Sequence, residues 1–221
     1  MLLPLSAAMK TAVYDLDKTL VRRATFTPFL IFASRRLAPW RITFLPLWVL
    51  MMAGYRIGLY NRTSLKQFGM RLMLGNPGHE ILQLTGRAFA SAHVERSGWL
   101  EGIVAMVEAD RAEGRRIAIA TAAFEFYATA FADMIGIEHV IATRWDGRLI
   151  PGGNCYGAEK YRRVAEWLGH DPAQSDLRFV SDSFADLPLL AAAKDAVFVT
   201  RNNAKRAKAA AQGWQVVDGE L

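Results

Sequence analysis

The chain of 221 residues has a single cysteine, Cys155, which excludes an internal disulfide and fits a reducing compartment. It has no Cys/His cluster with zinc-ligand spacing. Its four histidines, His79, His93, His139 and His170, lie far apart, and each is expected to be a surface or capping residue. A spanning helix needs roughly 20 apolar residues, and the uncharged run ITFLPLWVLMMAGY at 42–55 has only fourteen. The opening MLLPLSAAMK lacks a basic start and is too short for a signal peptide, so the residues before Met9 read as a leader or an alternative start, with no export expected. The most telling absence is of acid. From Lys18 to His79 there is no Asp or Glu, against ten Lys and Arg. The net charge of +6 turns negative once that segment is set aside, so one contiguous stretch carries the basic character.

What is present is globular: 52% apolar and 22% charged residues, enough for one core with a smaller inserted unit. After Arg116 strands and helices alternate. RIAIAT (116–121), HVIAT (139–143), LRFVSD (177–182), AVFVT (196–200) and WQVVD (214–218) read as strands. EFYATAFADMIG and AEKYRRVAEWLG read as helices closed by Gly136 and Gly169, and WDGRLIPGG as a hairpin. Short apolar strands with helical crossovers imply a mostly parallel sheet covered on both faces. TAVYD (11–15) belongs to that sheet, and helices fill the gap before the next strand. Thr27 before Pro28 is expected to cap the first of them, and Ser64 with Gln67 to form a capping box for the helix ending at Gly75. The layout is α/β: a Rossmann-like three-layer parallel sheet over 1–20 and 103–221, with an inserted helical cap over 21–102.

Ligands of parallel α/β sheets bind at the carboxyl ends of the strands, and four polar groups fall at or near such ends. Asp15 and Asp17 close the first strand, where residues two apart share a face. Thr121 ends RIAIAT, and Asp182 ends LRFVSD with Asp186 four residues on. Lys160 opens the helix before that last strand. Singly, each reads as an ordinary cap or turn residue; together they make a chemical set. Three carboxylates offer hard oxygen ligands suited to Mg2+, which keeps several waters and needs one or two carboxylates plus a substrate phosphate. A carboxylate can attack phosphorus. Lys160 would offset the negative charge, and Thr121 would hydrogen-bond a phosphoryl oxygen.

In these residues the chain resembles the haloacid-dehalogenase-like (HAD) superfamily phosphatases. D-x-D-x-T stands at Asp15, Asp17 and Thr19, the strand-terminal Thr at Thr121, the Lys at Lys160, and D-x-x-x-D at Asp182 and Asp186. The resemblance implies that Asp15 is the nucleophile and forms an aspartyl-phosphate. It implies that Asp17 protonates the leaving alcohol and then activates water. Mg2+ would be held by the Asp15 carboxylate, the Asp17 carbonyl and Asp182, with Asp186 in support. The insertion after the first motif resembles the branch that includes phosphoserine phosphatases. That branch has a Glu nine residues after the nucleophile to hold the substrate ammonium. Here Ala24 occupies the position, so an amino-acid phosphate is a poor fit. Arg22 and Arg23 stand close by and are assigned to substrate binding instead. Lys18 replaces the commoner Gly. DKT is also similar to an ion-pump motif, but Leu20 stands where that motif needs Gly.

The insertion places arginines around apolar and aromatic stretches, among them Phe26, Trp40, Phe44 and Trp48. A buried cap helix is the plain reading of 42–55. The unpaired charge favours an interfacial segment among anionic headgroups, a character that resembles the membrane-associated phosphatidylglycerophosphate phosphatases. Basic and aromatic residues also suit nucleic acid, but here the apolar residues are consecutive aliphatics, so no nucleic-acid partner is expected. The expectation is a Mg2+-dependent phosphomonoesterase on the inner face of the cytoplasmic membrane, acting on a phospholipid-type phosphate. The alternatives are a soluble metabolite phosphatase and a membrane-bound regulatory protein with a HAD core.

Overall fold

The structure is a computed structural model that describes residues 10–220. The stretch before Met9, read above as a leader or alternative start, lies outside the described residues.

Strand β1 (Thr11–Tyr14) is buried along its whole length, as expected for an apolar run covered on both faces. It pairs in parallel with β2 (Arg116–Phe124) on one side and β4 (Leu177–Ser181) on the other. Beyond β2 lies β3 (His139–Thr143), and beyond β4 lie β5 (Asp195–Val199) and β6 (Gln215–Val217). The order is β3-β2-β1-β4-β5-β6, parallel throughout. The chain leaves β1 for opposite sides of the sheet at β2 and β4, and the crevice at their carboxyl ends is where such sheets bind ligands.

Between β1 and β2 come α1 (Phe26–Leu37), a 3-10 segment (Pro39–Phe44), α2 (Leu45–Arg56), α3 (Arg62–Leu74), α4 (His79–Ser97) and α5 (Glu101–Ala112). The later crossovers are α6 (Glu125–Met134), α7 (Ala158–Leu168), α8 (Leu187–Ala192) and α9 (Asn203–Ala210). One face of the sheet carries a small apolar cluster built on Val13, Phe179 and Phe198. The other face carries Tyr14, Val180 and Ile119, whose cluster runs on without a break through Phe29, Trp48 and Phe89 of the inserted helices. Close approach at Gly86 explains the fit of α4 on α6: a Cβ there would lie 2.5 Å from the Phe126 carbonyl oxygen.

Several local expectations shift. β1 stops at Tyr14, so Asp15 and Asp17 share a turn and not a strand face. β2 runs on past Thr121 to Phe124, with its register to β3 broken after Ala120. The stretch WDGRLIPGG forms turns and bends without a hairpin ladder. The N-cap position of α1 is Thr25 and not Thr27, and its side chain makes no cap bond because it is engaged elsewhere. Asn61 caps α3, accepting the Ser64 amide, so the cap lies one turn before the Ser64–Gln67 pair. An Asx side chain meets that orphan donor as well as Ser would.

Candidate active site

The loop after β1 begins with Asp15, whose amide donates to the Val180 carbonyl at 2.9 Å and ties it to the end of β4. Its Oδ1 accepts the Leu16 amide at 2.8 Å and stands 3.3 Å from Lys160 Nζ. Lys160, in the first turn of α7, is fully buried and donates to Asp186 Oδ2 at 2.6 Å. Ser181 donates to the same oxygen at 2.8 Å, while Asp186 Oδ1 is buried without a partner. The ammonium thus bridges the two carboxylates and fixes both.

Lys18 turns the chain with φ 59°, the one positive φ at a non-glycine among the described residues. That conformation costs an L-residue about 1–2 kcal/mol, which explains why Gly is commoner there. Asp17 follows a different plan from Asp15. Its Oδ1 accepts both the amide and the hydroxyl of Thr25, at 2.9 and 2.7 Å. The entry to α1 therefore orients this carboxylate and leaves its second oxygen for other chemistry.

Thr121 is fully buried in β2, and its hydroxyl oxygen accepts the Ala123 amide at 3.1 Å, leaving the hydroxyl proton to donate. Asp182 directly follows β4, and its carbonyl accepts Lys205 Nζ at 3.1 Å. Asp15, Asp17, Thr121, Lys160, Asp182 and Asp186 all line one cavity of about 260 Å3.

Burial pushes the Asp15 carboxyl up to about 7, Lys160 opposes this, and Asp186, Asp182 and Asp17 add to it. Burial likewise raises Asp182, against the pull of Lys205 and Lys18. Burial works against the Lys160 ammonium, yet Asp15 and Asp186 hold it above the usual lysine range. Raised carboxyls beside one another mark a site short of positive charge. No group of three or more His, Cys, Asp or Glu side chains is gathered as a metal cage among the described residues. The donors available are the Asp15 and Asp182 carboxylates and nearby backbone carbonyls, with Asp186 committed to Lys160 and Ser181. That sparse oxygen set fits Mg2+ with most of its water retained.

The two arginines assigned to substrate stand beside this cavity and not in it. Arg22 is held in a fork by Glu220, one bond being 2.7 Å. Arg23 lines a neighbouring cavity of about 480 Å3, which also contains Lys18, Asp182 and Lys205. Arg62, Tyr156 and Lys205 line the same cavity as Asp15 and Asp17 and were not foreseen; the Arg62 guanidinium lies 4.4 Å from the Tyr156 ring centroid. Neither were Thr25 and Lys66. Lys66, in α3, donates to the Ala122 carbonyl and to Asn154 Oδ1, which locks the insertion onto the end of β2 and the segment before α7. A threonine directly after Ala24 and a lysine in an apolar helix were the only signals for those two.

A parallel sheet in this order, with an aspartate pair, a threonine, a lysine and a second acidic pair at its carboxyl edge, defines a haloacid dehalogenase-like hydrolase. The chain belongs to that family, whose profile matches residues 12–191. Among its relatives is protein CicA of Caulobacter vibrioides, 30% identical over 171 residues, which span 72% of each chain. A Bordetella pertussis Tohama I protein of unknown function has the same fold at TM-score 0.83 and 27% identity, covering 96% of this chain and 100% of its own. A phosphoserine phosphohydrolase-like protein of Francisella tularensis has TM-score 0.60 at 15% identity, covering 95% of each chain.

Proposed function

We propose that the chain is a Mg2+-dependent phosphomonoesterase that works through an aspartyl-phosphate on Asp15. The observation that carries this reading is the convergence of Asp15, Asp17, Thr121, Lys160 and Asp182 on one cavity at the sheet's carboxyl edge. When bound by Asp15, the Asp17 carbonyl and Asp182, Mg2+ supplies positive charge to the phosphoryl oxygens. Asp15 attacks phosphorus with a carboxylate oxygen, and the bond from phosphorus to the alcohol oxygen breaks. Asp17 gives its proton to that alcohol oxygen, then takes a proton from water. The water oxygen attacks phosphorus, the Asp15–phosphorus bond breaks, and inorganic phosphate leaves. Lys160 neutralises Asp15 and the phosphoryl group, Thr121 donates to a phosphoryl oxygen, and Thr25 holds Asp17 in place. Hydrolysis of an aryl phosphate with Mg2+, abolished by EDTA, tests the reading; no hydrolysis with Mg2+ sinks it.

The substrate we propose is a phospholipid-type phosphomonoester, met at an anionic membrane surface on the cytoplasmic side. No helix among the described residues is long and apolar enough to cross a membrane. Helix α2 buries only Trp48 and Gly54, while Leu50, Ile57 and Leu59 are 67%, 75% and 71% exposed. Exposed aliphatics next to Arg56 suit the headgroup boundary. Co-sedimentation with anionic vesicles, weakened by salt and absent with zwitterionic ones, is the expected outcome. Protein left in the supernatant at low salt turns the choice to a small-metabolite phosphatase, a reading favoured by the modest volume of the catalytic cavity.

A further inference from the structure

Strand β2 falls out of step with β3 where it reaches the cavity of Asp15. Ala120 pairs with Ile141 and Phe124 with Thr143, so β2 advances four residues while β3 advances two. Thr121, Ala122 and Ala123 lie in that irregular stretch, and Thr121 and Ala122 line the cavity. Backbone groups that lose ladder partners at a bulge must find others. The Ala122 carbonyl accepts from Lys66 Nζ and, at 2.8 Å, from the Thr143 hydroxyl. The Ala123 amide donates to Thr121 Oγ1 at 3.1 Å. That carbonyl and that amide belong to one peptide group.

Lys66 reaches this peptide from α3 of the insertion. It is buried, its Nζ lies near the rings of Phe26 and Phe124, and its other hydrogen-bond partner is Asn154 Oδ1 at 3.0 Å. No carboxylate pairs with it among the described residues. Burying an ammonium without a counter-charge costs stability, and a methionine of similar length would fill the space without that cost. What the ammonium supplies and a methionine cannot is a charged donor to the Ala122 carbonyl. A charge-assisted bond to a carbonyl polarises its peptide and strengthens the N–H on the far side as a donor. The Ala123 amide then fixes Thr121 Oγ1 as its acceptor, and the one proton of that hydroxyl is left to donate into the cavity.

Resting on the phosphomonoesterase reading, we infer that Lys66 is a positioning residue for the phosphoryl group, acting through the Ala122–Ala123 peptide to set the Thr121 hydroxyl as a donor. Lys66 does not line the cavity, so it acts through Thr121 and not on substrate directly. The insertion thereby completes the phosphoryl-binding end of the sheet.

The test is a double-mutant cycle on Lys66→Met and Thr121→Val. Two quantities are read: calorimetric binding of inorganic phosphate with Mg2+ present, and kcat and KM for an aryl phosphate. Each single variant should weaken phosphate binding about tenfold and raise KM. The double variant should bind no more than about twofold more weakly than Thr121→Val, because the support of a hydroxyl already removed has nothing left to act on. A lysine that only holds the fold together would lower the competent fraction instead, so kcat would fall while phosphate affinity and KM stayed put. Lys66→Gln, which stays polar, takes the place of Lys66→Met in the same cycle if the methionine variant does not fold. Unchanged phosphate affinity in either single variant, or losses that multiply in the double variant, overturns the inference and leaves aryl phosphate hydrolysis to be judged by itself. A wild type that neither binds phosphate nor hydrolyses the ester fails the phosphomonoesterase reading, and the inference falls with it.

Discussion

The sheet and the inserted helices treat charge in opposite ways. Around the sheet, cations are paired: Lys160 with Asp15 and Asp186, Arg178 with Asp110 and Asp195, Arg163 with Glu159. Over 21–102 one ion pair forms among the described residues, Arg22 to Glu220, and that partner comes from the far end of the chain. The apolar surface divides likewise. β1 and β4 bury their large residues, while the stretch from Trp40 to Phe68 leaves Leu50, Ile57 and Leu59 open. Charges around the sheet are held in ion pairs within the protein; Arg35, Arg36 and Arg96 on the insertion have no ion-pair partner among the described residues, while Arg41 and Arg71 donate to backbone carbonyls. The two regions are nonetheless one packed body, because a single apolar cluster runs from Tyr14 to Trp48.

The comparison breaks most sharply at Asp15. On the proposed mechanism, Asp15→Asn keeps the shape but replaces the carboxylate with an amide that cannot attack phosphorus, so hydrolysis of an aryl phosphate should vanish while the melting temperature holds. Turnover above a matched blank would place the chemistry elsewhere. Asp17→Asn should cost roughly 10²–10⁴-fold in kcat, the usual worth of general acid–base catalysis. Thr25→Val should cost less, since the Thr25 amide still holds Asp17 Oδ1. A Thr25→Val loss as large as that of Asp17→Asn would mean the hydroxyl takes part in the reaction directly.

The alternating pattern after Arg116 made the parallel sheet legible, and strand-end logic picked out Thr121, Asp182 and Lys160, which the fold gathers at one cavity. The pairing of Asp15 with Asp17 was right in spirit and wrong in geometry, because the strand ends one residue before the first of them. What stayed hidden depends on distant contacts. Thr25 looks like a cap, and only the turn through Lys18 brings Asp17 back to it. Lys66 and Arg62 look like solvated residues of a basic segment until α3 docks beside Asn154 and Tyr156. The fourteen-residue apolar run was ambiguous between core and interface, since helix periodicity is weak when every position is apolar.

The junction between the two regions offers a smaller perturbation. Gly86 of α4 faces the Phe126 carbonyl so closely that any side chain must push α4 off α6. Gly86→Val should cost about 1–3 kcal/mol, the usual range for overpacking, read from the denaturant midpoint. The same change at Gly78, whose Cβ would meet nothing within 4 Å, should cost less. Equal losses at both sites would mean that α4 is not seated on α6.

The smallest effect concerns a buried cation of the insertion that behaves as if it belonged around the sheet. Lys66 is 3% exposed, and its Nζ lies 5.2 and 4.9 Å from the ring centroids of Phe26 and Phe124. Burial lowers its pKa from 10.5 to about 7, Arg62 pushes the same way, and Asp17 and Asp15 resist. The folded value is thus below the unfolded one. Between about 7 and 10.5 the unfolded chain holds a proton the folded chain has released, so stability rises with pH across that window. Below about 7 the cost of burying the ammonium is fully present. Lys66→Met removes this term, and the single Thr143 hydroxyl, 2.8 Å from each of the two acceptors that Lys66 leaves, donates to one of them at a time. Melting temperatures of both proteins from pH 6 to 9.5 share every other titration, including that of Asp15, so their difference isolates Lys66. Wild type minus variant should climb by a few degrees over that range. A flat difference would mean that Lys66 keeps an ordinary lysine pKa despite its burial.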